Sequence, residues 1–212
     1  MYAIAFDNRQ AGQNLDLLAK MFRLRRSVFK DRLDWTVSVS GDFELDIYDA
    51  LNPTYLLIIS AQEDVVGCVR LLPTSGPNML ADTFSALLGG ASAPKSERIL
   101  ESSRFCVDTA RAVELGRNGL NRATFMLFAA MIEFMRVKNA QSIVTVTDTR
   151  MERILRRAGW PLQRITEPQA LGTTMALAGF LHASDQSLDA MYRQAGVEGP
   201  ILGMTDAKPM AA

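Results

Sequence analysis

The period of the apolar residues changes repeatedly along this chain, and each change limits what the segment can pack against. Residues 14–31 place Leu17, Leu18, Met21, Phe22, Arg25 and Phe29 at helical spacing. Two β-rich runs follow, YLLIISA at 55–61 and VVGCVRLLP at 65–73, separated by Gln-Glu-Asp as in a hairpin. A short helix is expected at 82–88 and a small, polar loop at 89–98. Residues 101–107 read as a strand, and 121–138 as a long helix with a broad apolar face built on Phe125, Phe128, Ile132 and Met135. The β-branched run 143–147 is a strand, 151–158 a helix that stops at Gly159, and 173–181 a further strand. Helix, strands, helix, strand, helix, strand predicts an α/β (α+β) fold. We expect one domain, a three-layer sandwich with a mixed, twisted sheet and helices on both faces. Its expected extent is residues 1–184, with 185–212, containing Gly, Pro and Ala-Ala, as a loosely packed tail.

Charge and cysteine usage exclude several function classes. The 23 basic and 23 acidic residues cancel, so the domain-wide positive field of a general nucleic-acid binder is absent. Cys68 and Cys106 each sit in an apolar segment, where free thiols act as small hydrophobes. With no CxxC pair and one histidine, His182, neither a zinc site nor a Cys-His or Ser-His pair has material to work with. No metal is expected. The start, MYAIAFDNRQ, lacks the basic and long apolar regions of a signal peptide. No apolar stretch approaches the ~18 to 20 residues of a membrane span. The expected location is cytoplasmic, without membrane contact.

Three stretches carry the charged residues that packing alone does not explain. In the first, Arg25 and Phe29 share a helical face, Trp35 follows, and Asp42, Glu44, Asp46 and Asp49 crowd the next segment. This is either a solvated acidic loop or a site for a small cation, which aromatic faces and carboxylates both attract. The second is GCVRLLP, where Arg70 interrupts an apolar strand; a buried charge is costly unless paired. The third is ESSRFCVD, which sets Glu101 and Arg104 on another core strand. Ion pairing of Arg70 or Arg104 with Glu101 or Asp46 would account for both strands structurally.

Taken in order and spacing, Arg25, Phe29, Trp35, Asp46, Asp49, Arg70, Phe84, Glu101 and Arg104 resemble the signature of the LuxI-type acyl-homoserine-lactone synthases, or autoinducer synthases. The matching pieces are RLRRSVF, Trp35, ELDIYD, GCVRLLP, ESSRFCVD and RILRRAGWP, and the wording is closest to the rhizobial conjugation-linked branch. The resemblance implies a fold similar to the N-acetyltransferases, with a cleft between two central strands, here those of Arg70 and Glu101. It implies acyl transfer to the amine of S-adenosylmethionine, then lactone closure that releases methylthioadenosine. S-adenosylmethionine is then a substrate, and no cofactor is needed. The Q/R-x-x-G-x-G/A turn that binds the coenzyme A pyrophosphate is not evident in DTARAVELGRNGL after Val107. An acyl-carrier protein is therefore the expected donor, with acyl-coenzyme A the other option. The rival readings are a coenzyme A-dependent N-acyltransferase of another amine and a non-catalytic ligand-binding relative.

The resemblance also assigns residues. Glu101 is the expected base, with Asp46 and Arg70 beside it in the catalytic group. Arg25, Phe29, Trp35, Asp49, Ser103, Arg104 and Phe105 are expected to hold S-adenosylmethionine, with Phe29, Trp35 and Phe105 as its aromatic walls. Thr145 matches the threonine of members that prefer 3-oxo chains, and Met79, Phe84, Met126 and Leu155 are expected to line the acyl chain with it. Arg150, Arg153, Arg156 and Arg157 form a basic helix face suited to an acidic carrier protein. One geometric difficulty is visible at this level. Glu101 and Arg104 would point to opposite faces of a regular strand, so either a bulge re-aims one or one is structural.

Overall fold

In the computed structural model, residues 1–111, 120–172 and 174–204 are described. The chain begins with β1 (Tyr2–Phe6), α1 (Leu15–Arg25) and a wide π-helical continuation over Arg26–Arg32. A small hairpin, β2 (Val39–Ser40) and β3 (Phe43–Glu44), leads to a 3₁₀ turn at Ile47–Ala50. Then come β4 (Thr54–Ile59), β5 (Val65–Pro73), α2 (Met79–Asp82) and β6 (Ile99–Val107). The second half holds α3 (Arg122–Val137), β7 (Ser142–Asp148), α4 (Thr149–Ala158), β8 (Gln163–Arg164) and β9 (Gln169–Leu171). It closes with β10 (Thr174–His182), α5 (Asp185–Ala195) and β11 (Leu202–Met204).

The sheet order is β11-β1-β4-β5-β6-β7-β10-β8, with β9 also on β10. β1 with β11 and β6 with β7 are parallel, and the other pairs antiparallel, so the sheet is mixed as expected. Residues 65–72 are all buried, which requires cover on both faces. On one face α3, α4 and α5 supply Phe125, Phe128, Met131, Leu155, Leu188 and Met191. On the other, Met21, Leu24, Val28 and Phe29 of the first helix pack on Tyr55, Leu57, Cys68 and Cys106. Each fully buried large side chain contributes roughly 1.5–3 kcal/mol, so the two apolar faces hold the layers together.

Local sequence sets the helix ends. Asn121 accepts a hydrogen bond from the Ala123 N–H at 2.8 Å and Asp148 from that of Met151 at 2.7 Å, capping α3 and α4. Gly159, at φ +93°, ends α4 where the sequence places its stop. The helix expected at 82–88 is instead α2 followed by a 3₁₀ turn at Ser85–Leu88. Thr173 and residues 112–119, the greater part of the stretch DTARAVELGRNGL, lie outside the described residues.

Two expectations need correction. The segment 185–204 is not a loose tail. Ser184 caps α5, whose Leu188, Met191 and Ala195 are buried, and β11 pairs with β1. Its alternating short polar and apolar residues conceal a one-sided helix within an otherwise polar composition. Residues 205–212 lie outside the described residues. The opening of the sheet is also displaced by one strand. β5 and β6 stay paired, whereas β6 and β7 pair only from Ile99↔Ser142 to Ser102↔Thr145. The two longer strands part beyond that fork. A bulge, one of the two alternatives left open for Glu101 and Arg104, accounts for the departure. Two residues of β6, Arg104 and Phe105, stand opposite Val69 alone between the Arg70↔Ser103 and Cys68↔Cys106 pairs. Arg104 takes φ +56°, and such a bulge bends its strand. Among the described residues, no helix is long and apolar enough to cross a membrane.

Candidate active site

The bulge turns Arg104 to the face already used by Glu101 and Ser103, which resolves the alternation problem. That face looks toward α1 and the 3₁₀ turn, and Glu44, Asp46 and Asp49 reach it from the small hairpin and that turn, while Glu101 comes from β6 itself. Asp46 and Asp49 first build their own turn. Asp46 accepts from the Tyr48 N–H at 2.9 Å, and Asp49 from the Asp46 N–H at 2.8 Å, forming a capping box. Their remaining hydrogen bonds come from arginines and, at Asp49, also from the Tyr55 hydroxyl.

Three guanidinium groups bind this turn to the sheet. Arg25 donates through Nε to Glu44 at 2.6 Å and through its two terminal nitrogens to Asp49 at 2.8 and 2.9 Å. Arg70 reaches Asp46 at 2.5 Å, Asp49 at 2.9 Å and Ser103 Oγ at 3.2 Å. Arg104 closes the group on Glu44 at 3.0 Å and Asp46 at 2.7 Å. Tyr55, the register partner of Arg70, donates to Asp49 at 2.8 Å. Arg25, Arg70 and Glu44 are fully buried. Removing such groups from water is affordable only because each charge meets several opposite ones with directed hydrogen bonds.

Aromatic rings cover the outer side. Trp35 stacks on Phe29 with centroids 5.4 Å apart, and the Arg104 guanidinium lies 5.7 Å from the Phe29 ring. Phe29 is buried while Trp35 is 41% exposed, so the indole faces both solvent and site. Trp35 is held by its backbone N–H, which bonds the Phe29 carbonyl at 2.9 Å across the widened end of the helix. Two surface hollows of about 440 and 360 Å³ lie at the end of α5 and after β5, and none of these charged or aromatic residues lines either.

Glu101 sits at the inner edge. Its side chain is 1% exposed, and Oε2 accepts from Ser103 Oγ at 3.1 Å. Burial pushes its pKa up to about 7, against the pull of Arg70, Ser103 and Arg104. Asp49 behaves oppositely. Burial alone would raise it, but hydrogen bonds and charge from Arg25, with charge from Arg70, hold it well below the usual carboxylate range. The site therefore holds a carboxyl able to exchange protons near neutrality beside carboxylates committed to ion pairs.

Arg25, Phe29, Trp35, Asp46, Asp49, Arg70, Glu101, Ser103 and Arg104 thus come together. Phe105 does not join them. It stacks on Phe128 of α3 with centroids 5.1 Å apart, on the opposite sheet face. The expected acyl-chain residues are divided likewise. Met126 and Leu155 belong to the α3/α4 core with Phe105, and Thr145 donates to the Ser102 carbonyl at 3.1 Å at the fork. Met79 and Phe84 pack with Tyr48 and Leu72 on the other face, and Met79 Sδ receives Arg70 and Arg104. Arg150, Arg153, Arg156 and Arg157 are exposed on α4. Sequence reasoning left Glu44, Tyr48 and Tyr55 without a role. Glu44 shares the alternate spacing of Asp46, a usable signal; Tyr55 is revealed only by strand register.

The autoinducer synthase family model matches residues 9–191. The chain belongs to this family. As a synthase it is 46% identical over 183 residues to the probable acyl-homoserine-lactone synthase of Sinorhizobium fredii, covering 86% of this chain and 88% of that one. It is 48% identical over 172 residues to the acyl-homoserine-lactone synthase of Agrobacterium fabrum, covering 81% and 82%. The synthase is thus an acyltransferase of the acyl-homoserine-lactone class, near the rhizobial members. In structure it resembles BjaI, described as a coenzyme A-dependent acyl-homoserine-lactone synthase with SAM and isopentyl-CoA, at TM-score 0.86 and 25% identity over 98% of this chain and 94% of that one. A putative N-acetyltransferase from Lactobacillus plantarum shares the fold at TM-score 0.55 and 13% identity, covering 87% and 100%.

Proposed function

We propose that this synthase acylates the amine of S-adenosylmethionine from an acyl-carrier protein in the cytoplasm and then closes the lactone. The observation that carries this reading is the buried Glu101 carboxyl, with its pKa about 7, beside an arginine–carboxylate frame and the Phe29–Trp35 stack. The substrate ammonium must lose a proton before its nitrogen attacks the thioester carbonyl. Glu101 takes that proton, the C–N bond forms, and the C–S bond breaks as the second nitrogen proton passes to the departing sulfur, releasing the carrier thiol. The substrate carboxylate then attacks its own Cγ and expels methylthioadenosine from the sulfonium. For that second step the enzyme chiefly holds the chain folded and dry.

In this reading Asp46 and Asp49 face the cationic end of the substrate while Arg25 and Arg70 keep them in place. Phe29 and Trp35 flank adenine and sulfonium. The acyl chain enters at the β6/β7 fork, between Thr145 and the Met126–Leu155 side of the core. The α4 arginines receive the acidic carrier protein. A coenzyme A thioester is the second reading, favoured by the likeness to the coenzyme A-dependent BjaI.

The test is reconstitution with S-adenosylmethionine and matched acyl-carrier-protein and acyl-coenzyme A thioesters, with lactone detected by mass spectrometry. A kcat/KM at least tenfold higher for the carrier-protein thioester is expected. Equal or better use of coenzyme A would replace the donor, and no lactone from either would overturn the reading.

A further inference from the structure

We infer that Ser103 is a positioning residue for the acyl-transfer step, fixing the Glu101 carboxyl so that Oε1 rather than Oε2 is the oxygen that accepts the substrate proton. This rests on Glu101 being the base. The Ser103 hydroxyl has one hydrogen and two lone pairs. Arg70 Nε, which can only donate, occupies a lone pair at 3.2 Å. The hydroxyl hydrogen is left to point at Glu101 Oε2, 3.1 Å away. No described residue donates to Oε1. One carboxylate oxygen is thus occupied and the other open.

Strand geometry enforces the arrangement. Glu101 and Ser103 are two residues apart on β6 and therefore share a face. Arg70 is the register partner of Ser103 on β5. Arg70 is itself pinned by Asp46 and Asp49, so the hydroxyl cannot turn away without breaking a charge-assisted bond. The charged groups facing Glu101 are Arg70 from β5, Arg104 from its own strand and Asp46 from the turn. Its register partners Leu72 on β5 and Val144 on β7 add none. The hydroxyl favours the ionised carboxylate, so losing it moves Glu101 upward in pKa.

Ser103→Ala should move the ascending limb of kcat/KM against pH to higher pH by about one unit, an approximately tenfold loss below the limb. The infrared carboxyl band that disappears in Glu101→Gln should shift its titration by the same amount. Binding of S-adenosylmethionine by calorimetry should change by less than about threefold, and Ser103→Thr, which keeps a hydroxyl, should restore the wild-type profile. A uniformly lower rate with both pH midpoints unmoved would overturn the role of Ser103. Turnover retained by Glu101→Gln would instead remove the base on which the proposal stands. The infrared titration is independent of turnover, so the two failures are distinguishable.

Discussion

Glu101 is held in its site at the expense of folding. Its pKa rises from 4.5 to about 7 in the fold. Its contribution to stability is therefore fully present below pH 4.5 and is lost as pH rises through 7. The corresponding free energy is roughly 3 kcal/mol. Glu101→Gln removes this titration, so its stability relative to wild type should improve by about that amount between pH 4 and pH 8. Urea denaturation at the two pH values measures it, and parallel curves would contradict the burial argument. Asp49 has the opposite sign. Its lowered pKa gives stability that is present above the ordinary carboxylate value and lost as pH falls. Asp49→Asn leaves Arg25 and Arg70 buried with weakened partners and should cost about 3–5 kcal/mol at pH 7, read from the same denaturation midpoint.

Among the elements, the apolar periodicity was most readable where it was strongest. Residues 121–138 and 65–73 fold nearly as their patterns predict, because an all-round apolar helix and a continuously apolar strand have few other places to go. The 185–204 segment is not legible as ordered structure in its own sequence, because its anchor lies far away along the chain. Glu133 of α3 accepts from Tyr192 Oη at 2.7 Å, from the Ile201 N–H at 3.0 Å and from the Leu202 N–H at 2.8 Å. An acid inside an apolar helix suggests a partner without naming it. Glu133→Gln loses acceptor capacity and should cost about 2 kcal/mol. Amide exchange at Ile201 and Leu202 should rise at least tenfold, and unchanged protection there would refute the clamp. On α4, basic and apolar residues segregate cleanly. Reversing Arg153 and Arg157 to glutamate should raise the KM for an acyl-carrier-protein thioester by roughly tenfold and flatten its salt dependence. If the KM and salt dependence stay the same, the carrier docks on another surface.

For the whole molecule, the sequence disclosed which charged residues matter but not how they connect. Arg70 and Glu101 stand out in the sequence because charges on apolar strands demand partners. The route from Arg70 through Ser103 to Glu101, and the migration of the opening from β5/β6 to β6/β7, depend on one inserted residue in a strand. A bulge leaves no periodic trace when its neighbours are Ser, Arg and Phe. For the same reason Phe105, expected beside Trp35, is sent by the bulge to Phe128.

Counting formal charges over the buried network gives three arginines, Arg25, Arg70 and Arg104, against four acids, Glu44, Asp46, Asp49 and Glu101. The surplus is a single negative charge, present only while Glu101 is ionised. S-adenosylmethionine, with its sulfonium, ammonium and carboxylate, is a net monocation. In the proposed reaction, moving one proton onto Glu101 cancels the surplus just as the amine becomes a neutral amide. The enclosure would therefore attract the incoming reactant and lose its electrical hold on the acylated species in one stroke.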